Sequence, residues 1–237
     1  EVVAVGADIS EFIVGDKVCA LTNGGGYAQY CAVPASQALP IPEGMDWVQA
    51  AAVPETFFTV WANLFDMGGA SKGQRALIHG GTSGIGTTAL MLCREFGVKA
   101  FATAGSEEKC VAIRQLGAEA INYRDQDFVQ VIQEKTAGKG VNVILDIMGG
   151  SYLNQNIAAL GMEGRLVMLG FLGGCPCQGR RSHGHFGQAR DHHRLPDALA
   201  HPRRKSLDCR TTARIRLACS GGWTLPAHNR QGLPAGR

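Results

Sequence analysis

The stretch of this chain best suited to chemistry is His79-Gly80-Gly81-Thr82-Ser83-Gly84-Ile85-Gly86. Glycines so spaced let a backbone turn tightly and approach a pyrophosphate, whose charge the N-terminus of a following helix then stabilises. A glycine cluster on its own is no more than a connecting loop. Here residues 75–79 read as a short buried strand and residues 84–96 as a helix, which is the setting such a loop requires. The reading is dinucleotide binding, with Ser83, Gly84, Ile85 and Gly86 as candidate contacts.

The next strand, residues 99–104, runs out at Ala104-Gly105-Ser106. A site selective for NAD usually carries an acidic side chain there, which holds the ribose hydroxyls. Ala, Gly and Ser leave room for a 2′-phosphate instead, so the expected cofactor is NADPH, with Gly105 and Ser106 beside the ribose. Glu107 and Glu108 would oppose a phosphate, but they also suit the first turn of a helix.

These residues need a scaffold that brings them to one edge. From about Met45 the chain turns helical, then alternates. Helices read over residues 107–116, 128–136 and 152–160, and strands over 120–123, 141–147 and 165–169. Strands alternating with helices of crossover length demand a parallel sheet covered on both faces. The expected fold is α/β, a doubly wound parallel Rossmann sheet over residues 46–174, one strand short of the full two-halved domain. Residues 1–45 read differently. Short β-rich runs at Val2–Val5, Phe12-Ile13-Val14, Val18-Cys19-Ala20-Leu21 and residues 27–33 are broken by Gly and Asp, as in a piece of a small barrel. Pro34, Pro40 and Pro42 are expected to interrupt regular structure after them.

The 237 residues carry a net charge of +3, but that average conceals two compositions. Residues 1–174 hold 11 Lys/Arg against 17 Asp/Glu, a net of −6, while residues 175–237 hold 12 against 3, a net of +9. Only 8 of those last 63 residues are Ile, Leu, Val or Phe, a level at which a charged segment does not fold. Residues 175–237 are therefore read as a basic, unstructured tail. Arg, Pro, Gly and Ala are amino acids of GC-rich codons, which suggests a neighbouring reading frame. No run approaches the roughly 20 apolar residues of a membrane helix, and no secretory signal is visible, so the expected location is cytoplasmic. The first residue, Glu1, points to a start further upstream.

The glycine pattern also matches the short-chain dehydrogenase fingerprint, which needs a Tyr-x-x-x-Lys pair. Tyr27, Tyr30, Tyr123 and Tyr152 are followed four residues on by Cys31, Pro34, Asp127 and Asn156, so that reading fails. Residues 1–174 instead resemble the zinc-independent quinone oxidoreductase branch of the medium-chain dehydrogenase/reductase superfamily. The resemblance rests on Gly15-Asp16-Lys17-Val18, Gly25-Gly26-Tyr27-Ala28-x-Tyr30 and Ala50-Ala51-Ala52-x-Pro54 with Thr59-Val60-Trp61. It continues through the glycine loop, Ile121-Asn122-Tyr123, Gly149-Gly150 and Leu169-Gly170-Phe171-Leu172-Gly173-Gly174.

That resemblance implies a truncated GroES-like β-barrel domain before the Rossmann sheet and NADPH-dependent, metal-independent hydride transfer to quinones by a homodimer. It also implies that Lys109 and Tyr123 contact the 2′-phosphate and that Thr59 lies near the nicotinamide. Met148, Leu169, Gly170, Phe171 and Leu172 would line the nicotinamide half. For Lys109 the alternative is a solvated helix face, and for Met148, Leu169 and Leu172 it is ordinary core packing. Reduction of an enoyl thioester or other activated alkene is the alternative activity, and a non-catalytic, crystallin-like NADPH-binding protein the alternative of another class. No catalytic acid is assigned. Because part of the barrel, the last strand and the dimer edge are expected to be missing, weak cofactor binding and doubtful dimerisation are expected as well.

Zinc is not expected. On this alignment the position of a catalytic-zinc cysteine is Glu55, and Cys19, Cys31, Cys93 and Cys110 stand isolated, as free thiols do in a reducing compartment. In the tail, Cys175-Pro-Cys177 with His183, His185, His192 and His193 matches no closed metal site. Arg203-Arg204-Lys205 is too little to imply nucleic acid.

Overall fold

The computed structural model describes residues 1–174, so the expectations for the tail lie outside the described residues. Two compact units divide at Glu55 and Thr56. In the first, β1 (Val18–Ala20) pairs antiparallel with β2 (Ala38–Pro40), placing Cys19 opposite Leu39. Phe12 and Ala38 form a small core on which Ile9, Val18, Ala20, Val33 and Ala35 pack. This short pair agrees with a partial barrel. A short helix, α1 (Trp47–Ala51), follows, and Asp46 opens it with a capping box. The Asp46 carboxylate accepts the Gln49 amide at 2.8 Å, and the Gln49 side chain accepts the Asp46 amide at 3.1 Å.

The β-rich pattern overstates the strands of this unit. The Ile13 amide donates to the Asp16 carboxylate at 2.9 Å and the Asp16 amide returns to the Ile13 carbonyl at 3.1 Å. That closed turn leaves Ile13 and Val14 exposed. Residues 27–30 are likewise turn and bend and residues 31–33 are irregular, with Tyr27 and Tyr30 exposed. A strand preference is expressed only against a neighbouring strand, and β1 has taken β2 as its partner. Pro40 ends β2 rather than preventing it, because a residue at a strand end can go without its N–H.

The second unit carries a five-stranded parallel sheet. Its strands are β3 (Arg75–Ile78), β4 (Lys99–Ala104), β5 (Glu119–Asn122), β6 (Val141–Asp146) and β7 (Leu160–Met168). The spatial order is β5-β4-β3-β6-β7, so the chain builds outward from β3 in one direction, then returns and builds outward in the other. Four helices make the crossovers: α3 (Gly84–Glu95), α4 (Glu107–Gln115), α5 (Phe128–Lys135) and α6 (Leu153–Ala159). Leu77, Phe101, Ile121, Phe128, Ile132 and Ile144 form one buried cluster. Fully burying each such side chain stabilises by about 1.5–3 kcal/mol, which holds the central strands between their helices. The doubly wound α/β expectation is therefore met.

Two features depart from regular geometry. A second helix of the N-terminal half, α2 (Val53–Val60), runs on as a π-helical stretch over Trp61–Met67, closed by the Gly68 amide on the Asn63 carbonyl at 2.9 Å. Trp61 and Phe65 stack there and meet Phe96 edge-on, with centroids 5.0–5.4 Å apart. The other departure is a register shift in β7, between Leu160 opposite Val141 and Arg165 opposite Val143. Among the described residues no helix is long and apolar enough to cross a membrane.

Candidate functional site

The reversal of strand order falls between β3 and β6, and the sequence-predicted residues collect at the carboxyl ends of these strands and of β4. Open α/β sheets bind ligands at such a crevice. Leaving β3, the chain turns at Gly80, whose φ of +73° belongs to the left-handed region. A Cβ there would also come within 2.8 Å of Ile147 Cδ1. Ser83 caps α3 twice over: its Oγ donates to the Gly80 carbonyl at 2.8 Å and accepts the Gly86 amide at 3.0 Å. Gly86 must be glycine, because a Cβ would strike the Gly80 carbonyl oxygen. With Gly86 satisfied, the amides of Gly84 and Ile85 are left facing out of the helix end, where the helix dipole favours an anion. Thr56 of α2 lies against this end, 3.4 Å from where a Gly84 Cβ would be, and Thr59 is half-buried one turn further on.

At the end of β4, Ser106 caps α4 by accepting the Lys109 amide at 3.4 Å. Tyr123 follows β5 and donates its amide to the Ala104 carbonyl at 3.1 Å. Its hydroxyl sits where a Gly105 side chain would begin. Lys109 is exposed, and Tyr123 is 47% exposed. Glu107 is occupied by an ion pair with Arg114 on the same helix.

The third group comes from β6 and β7. Met148 and Gly149 lie against residues 169–173, joined by the Leu172 amide on the Ile147 carbonyl at 3.1 Å and the Gly173 amide on the Met148 carbonyl at 2.7 Å. The Leu169 amide donates to the Asp146 carbonyl at 2.7 Å, and Gly170 packs on the backbone of Ile147. Phe171 and Leu172 are 52% and 77% exposed, so core packing does not account for them, while Met148 and Leu169 are half-buried.

Between these groups lies a buried polar cluster that sequence reasoning missed. His79, Thr103, Asp146 and Asn156 are each at least 97% buried. His79 Nδ1 lies 3.1 Å from Thr103 Oγ1, and Nε2 lies 2.7 Å from Asn156 Oδ1. The Asp146 carboxylate accepts the amides of Met148 at 2.7 Å and Gly149 at 3.1 Å and the Asn156 side chain at 3.1 Å. Phe128 and Tyr152 meet the imidazole edge-on, both at 5.0 Å. Burial pushes the His79 pKa below its ordinary 6.5, and the Asn156 hydrogen bond and the Asp146 charge oppose that shift. The available signal was a histidine closing an apolar strand and an aspartate closing another.

Among the described residues the donors for a metal are not brought together. Burial pushes the thiols of Cys19 and Cys93 up to about 11 and 12, and neither belongs to a group of three metal-ligating side chains among these residues. Among the described residues no group of three His, Cys, Asp or Glu is placed to hold an ion.

Comparison with known proteins agrees with this architecture. Residues 84–182 match the zinc-binding dehydrogenase family. The chain is 33% identical over 172 residues to quinone oxidoreductase of Rattus norvegicus, covering 72% of this chain and 52% of that protein. It is 35% identical over 173 residues to highly-reducing polyketide synthase 1 of Aureobasidium melanogenum, covering 71% of this chain and 8% of the synthase. Among solved structures it resembles CurK enoyl reductase at a TM-score of 0.61 and 30% identity, covering 72% of this chain and 52% of the other. A mycobacterial protein solved with NADPH gives a TM-score of 0.61 at 26% identity, covering 69% and 51%. The chain thus spans about half the length of the quinone oxidoreductases it matches. Over the segment these likenesses cover, the chain belongs to the medium-chain dehydrogenase/reductase superfamily, with quinone oxidoreductases among its relatives.

Proposed function

We propose that this chain binds NADPH in the crevice at the ends of β3, β4 and β6 and directs its hydride to an electron-poor acceptor, a quinone in the first instance. The observation that carries the reading is the convergence of three segments there: the glycine loop, the Gly105–Tyr123 contact, and Met148 with residues 169–173. NADPH supplies a transferable hydride when bound. The outward amides of Gly84 and Ile85, with Ser83 holding the turn and Gly86 admitting the close approach, suit its pyrophosphate. Gly105, Ser106, Lys109 and Tyr123 suit a ribose bearing a 2′-phosphate, where no carboxylate takes the hydroxyls. Thr59, Met148, Leu169, Gly170, Phe171 and Leu172 would orient the nicotinamide and shield it from water. Similarity to an NADPH-bound relative supports the choice of cofactor.

Reduction of an enoyl thioester is a second reading, favoured by the likeness to an enoyl reductase and to a reducing polyketide synthase. The experiment is to titrate the chain with NADPH and NADH by fluorescence, then follow NADPH oxidation with a para-quinone and with an enoyl thioester. Tighter binding of NADPH and turnover of the quinone are expected. Turnover of the thioester alone would favour the second reading, binding without turnover a non-catalytic role, and no nucleotide binding would overturn both.

A further inference from the structure

The buried cluster behind the crevice has a direction, fixed by which of its atoms can only accept. A carboxylate only accepts, so Asp146 Oδ2 accepts a hydrogen bond from Asn156 Nδ2 at 3.1 Å. The Asn156 amide is thereby oriented, and its oxygen is the atom 2.7 Å from His79 Nε2. An amide oxygen also only accepts, so Nε2 carries a proton. In the neutral ring Nδ1 then accepts, and its partner at 3.1 Å is the Thr103 hydroxyl. Thr103 Oγ1 in turn accepts the Gly80 amide at 3.3 Å. Every donor along the line points the same way, from Gly80 through Thr103, His79 and Asn156 to Asp146. At its far end Asp146 also draws in the Met148 and Gly149 amides.

We propose that His79, Asn156 and Thr103 are positioning residues, which lock the glycine loop and the 148–149 turn into one register so that the two halves of a dinucleotide are held together. This rests on reading the crevice as a dinucleotide site. The line joins the two segments from beneath: Gly80 belongs to the phosphate side, and Met148 and Gly149 to the side packed on residues 169–173. All three amides are turned into the protein, which leaves the outward amides of Gly84 and Ile85 to the ligand. Because the line runs through the interior, no water stands ready to replace a missing member, and removing one strands its neighbours. Purely apolar packing around His79 would hold the same segments without fixing the ring's protonation.

The test uses two probes and two variants. Adenosine 2′,5′-bisphosphate reaches only the β4 side, whereas NADPH spans the crevice. His79→Phe and the milder Thr103→Val are expected to weaken NADPH about tenfold while leaving the bisphosphate unchanged, the loss of one buried charge-free pair being of that order. Thr103→Ser restores the hydroxyl and should rescue binding. A protein that is merely destabilised would lose both probes alike. Nitrogen NMR of the full chain, with His79→Gln to identify the signal, should show an imidazole protonated at Nε2 at neutral pH. Amide exchange at Met148 and Gly149 should quicken in both variants. An Nδ1-protonated ring, equal weakening of both probes, or no change in exchange would overturn the proposal. The NMR and exchange measurements need no ligand, so they decide it even if the chain binds no nucleotide, an outcome that would sink only the dinucleotide reading.

Discussion

At the crevice a single methyl group is decisive at Gly86. A Cβ there meets the Gly80 carbonyl and comes within 2.7 Å of the Gly81 carbonyl carbon, both backbone atoms that cannot swing aside. Gly86→Ala must therefore shift the loop. Overpacking of this kind costs about 1–3 kcal/mol, so a lower denaturant midpoint is expected, together with at least a roughly tenfold weaker NADPH complex in a fluorescence titration. Unchanged binding would mean that the loop does not approach the ligand. Residues of this sort are legible in sequence because each glycine answers to its immediate neighbours. His79 is not legible in that way. Its partners Thr103 and Asn156 lie 24 and 77 positions away, and only the sheet brings them to it. Read alone, His79 is the last residue of a strand.

Ser83 shows how much an element depends on its first residue. Its hydroxyl satisfies the Gly86 amide and ties the loop to the Gly80 carbonyl, so the cap and the turn share one atom. Ser83→Ala is expected to cost about 1 kcal/mol, seen as a fall in Tm of about 2–4 °C for a chain of this size. Ser83→Thr or Ser83→Asp should recover most of it. The central strands and their helices were readable to within a few residues, because β3, β4 and β6 carry apolar runs at residues 76–78, 100–102 and 143–145 and α3 and α4 begin at serine caps. The first unit was less readable. Val, Ile, Phe and Tyr favour strands equally in residues 12–14, 18–21 and 27–33, and tertiary pairing admitted only Val18–Ala20. The π-helical continuation of α2 likewise has no local signature in Trp61–Met67.

For the molecule as a whole, a histidine buried in its neutral form makes stability depend on pH. The folded chain holds His79 below its ordinary 6.5, whereas the unfolded chain takes up that proton near 6.5. The stability conferred by the neutral ring is thus complete above that pH and is lost as pH falls through the folded value. The facing charges do not reverse this: Asp146 opposes the shift without overcoming burial, and Tyr152 presents a neutral ring whose own pKa burial raises. Between pH 7 and about 5 the urea midpoint should fall further in the parent chain than in His79→Gln. Parallel curves for the two proteins would show that His79 does not carry the effect.

Cys93 gives the second unit a clock. It is fully buried on α3, the helix that begins at the glycine loop, and its thiol is held near 12. A reagent in solution can reach it only in the intervals when helix and sheet part, so its rate of modification counts those intervals. Any ligand that engages the Gly84 end of the helix makes them rarer, and the sulfur on the buried side of α3 becomes a witness to what happens at its tip.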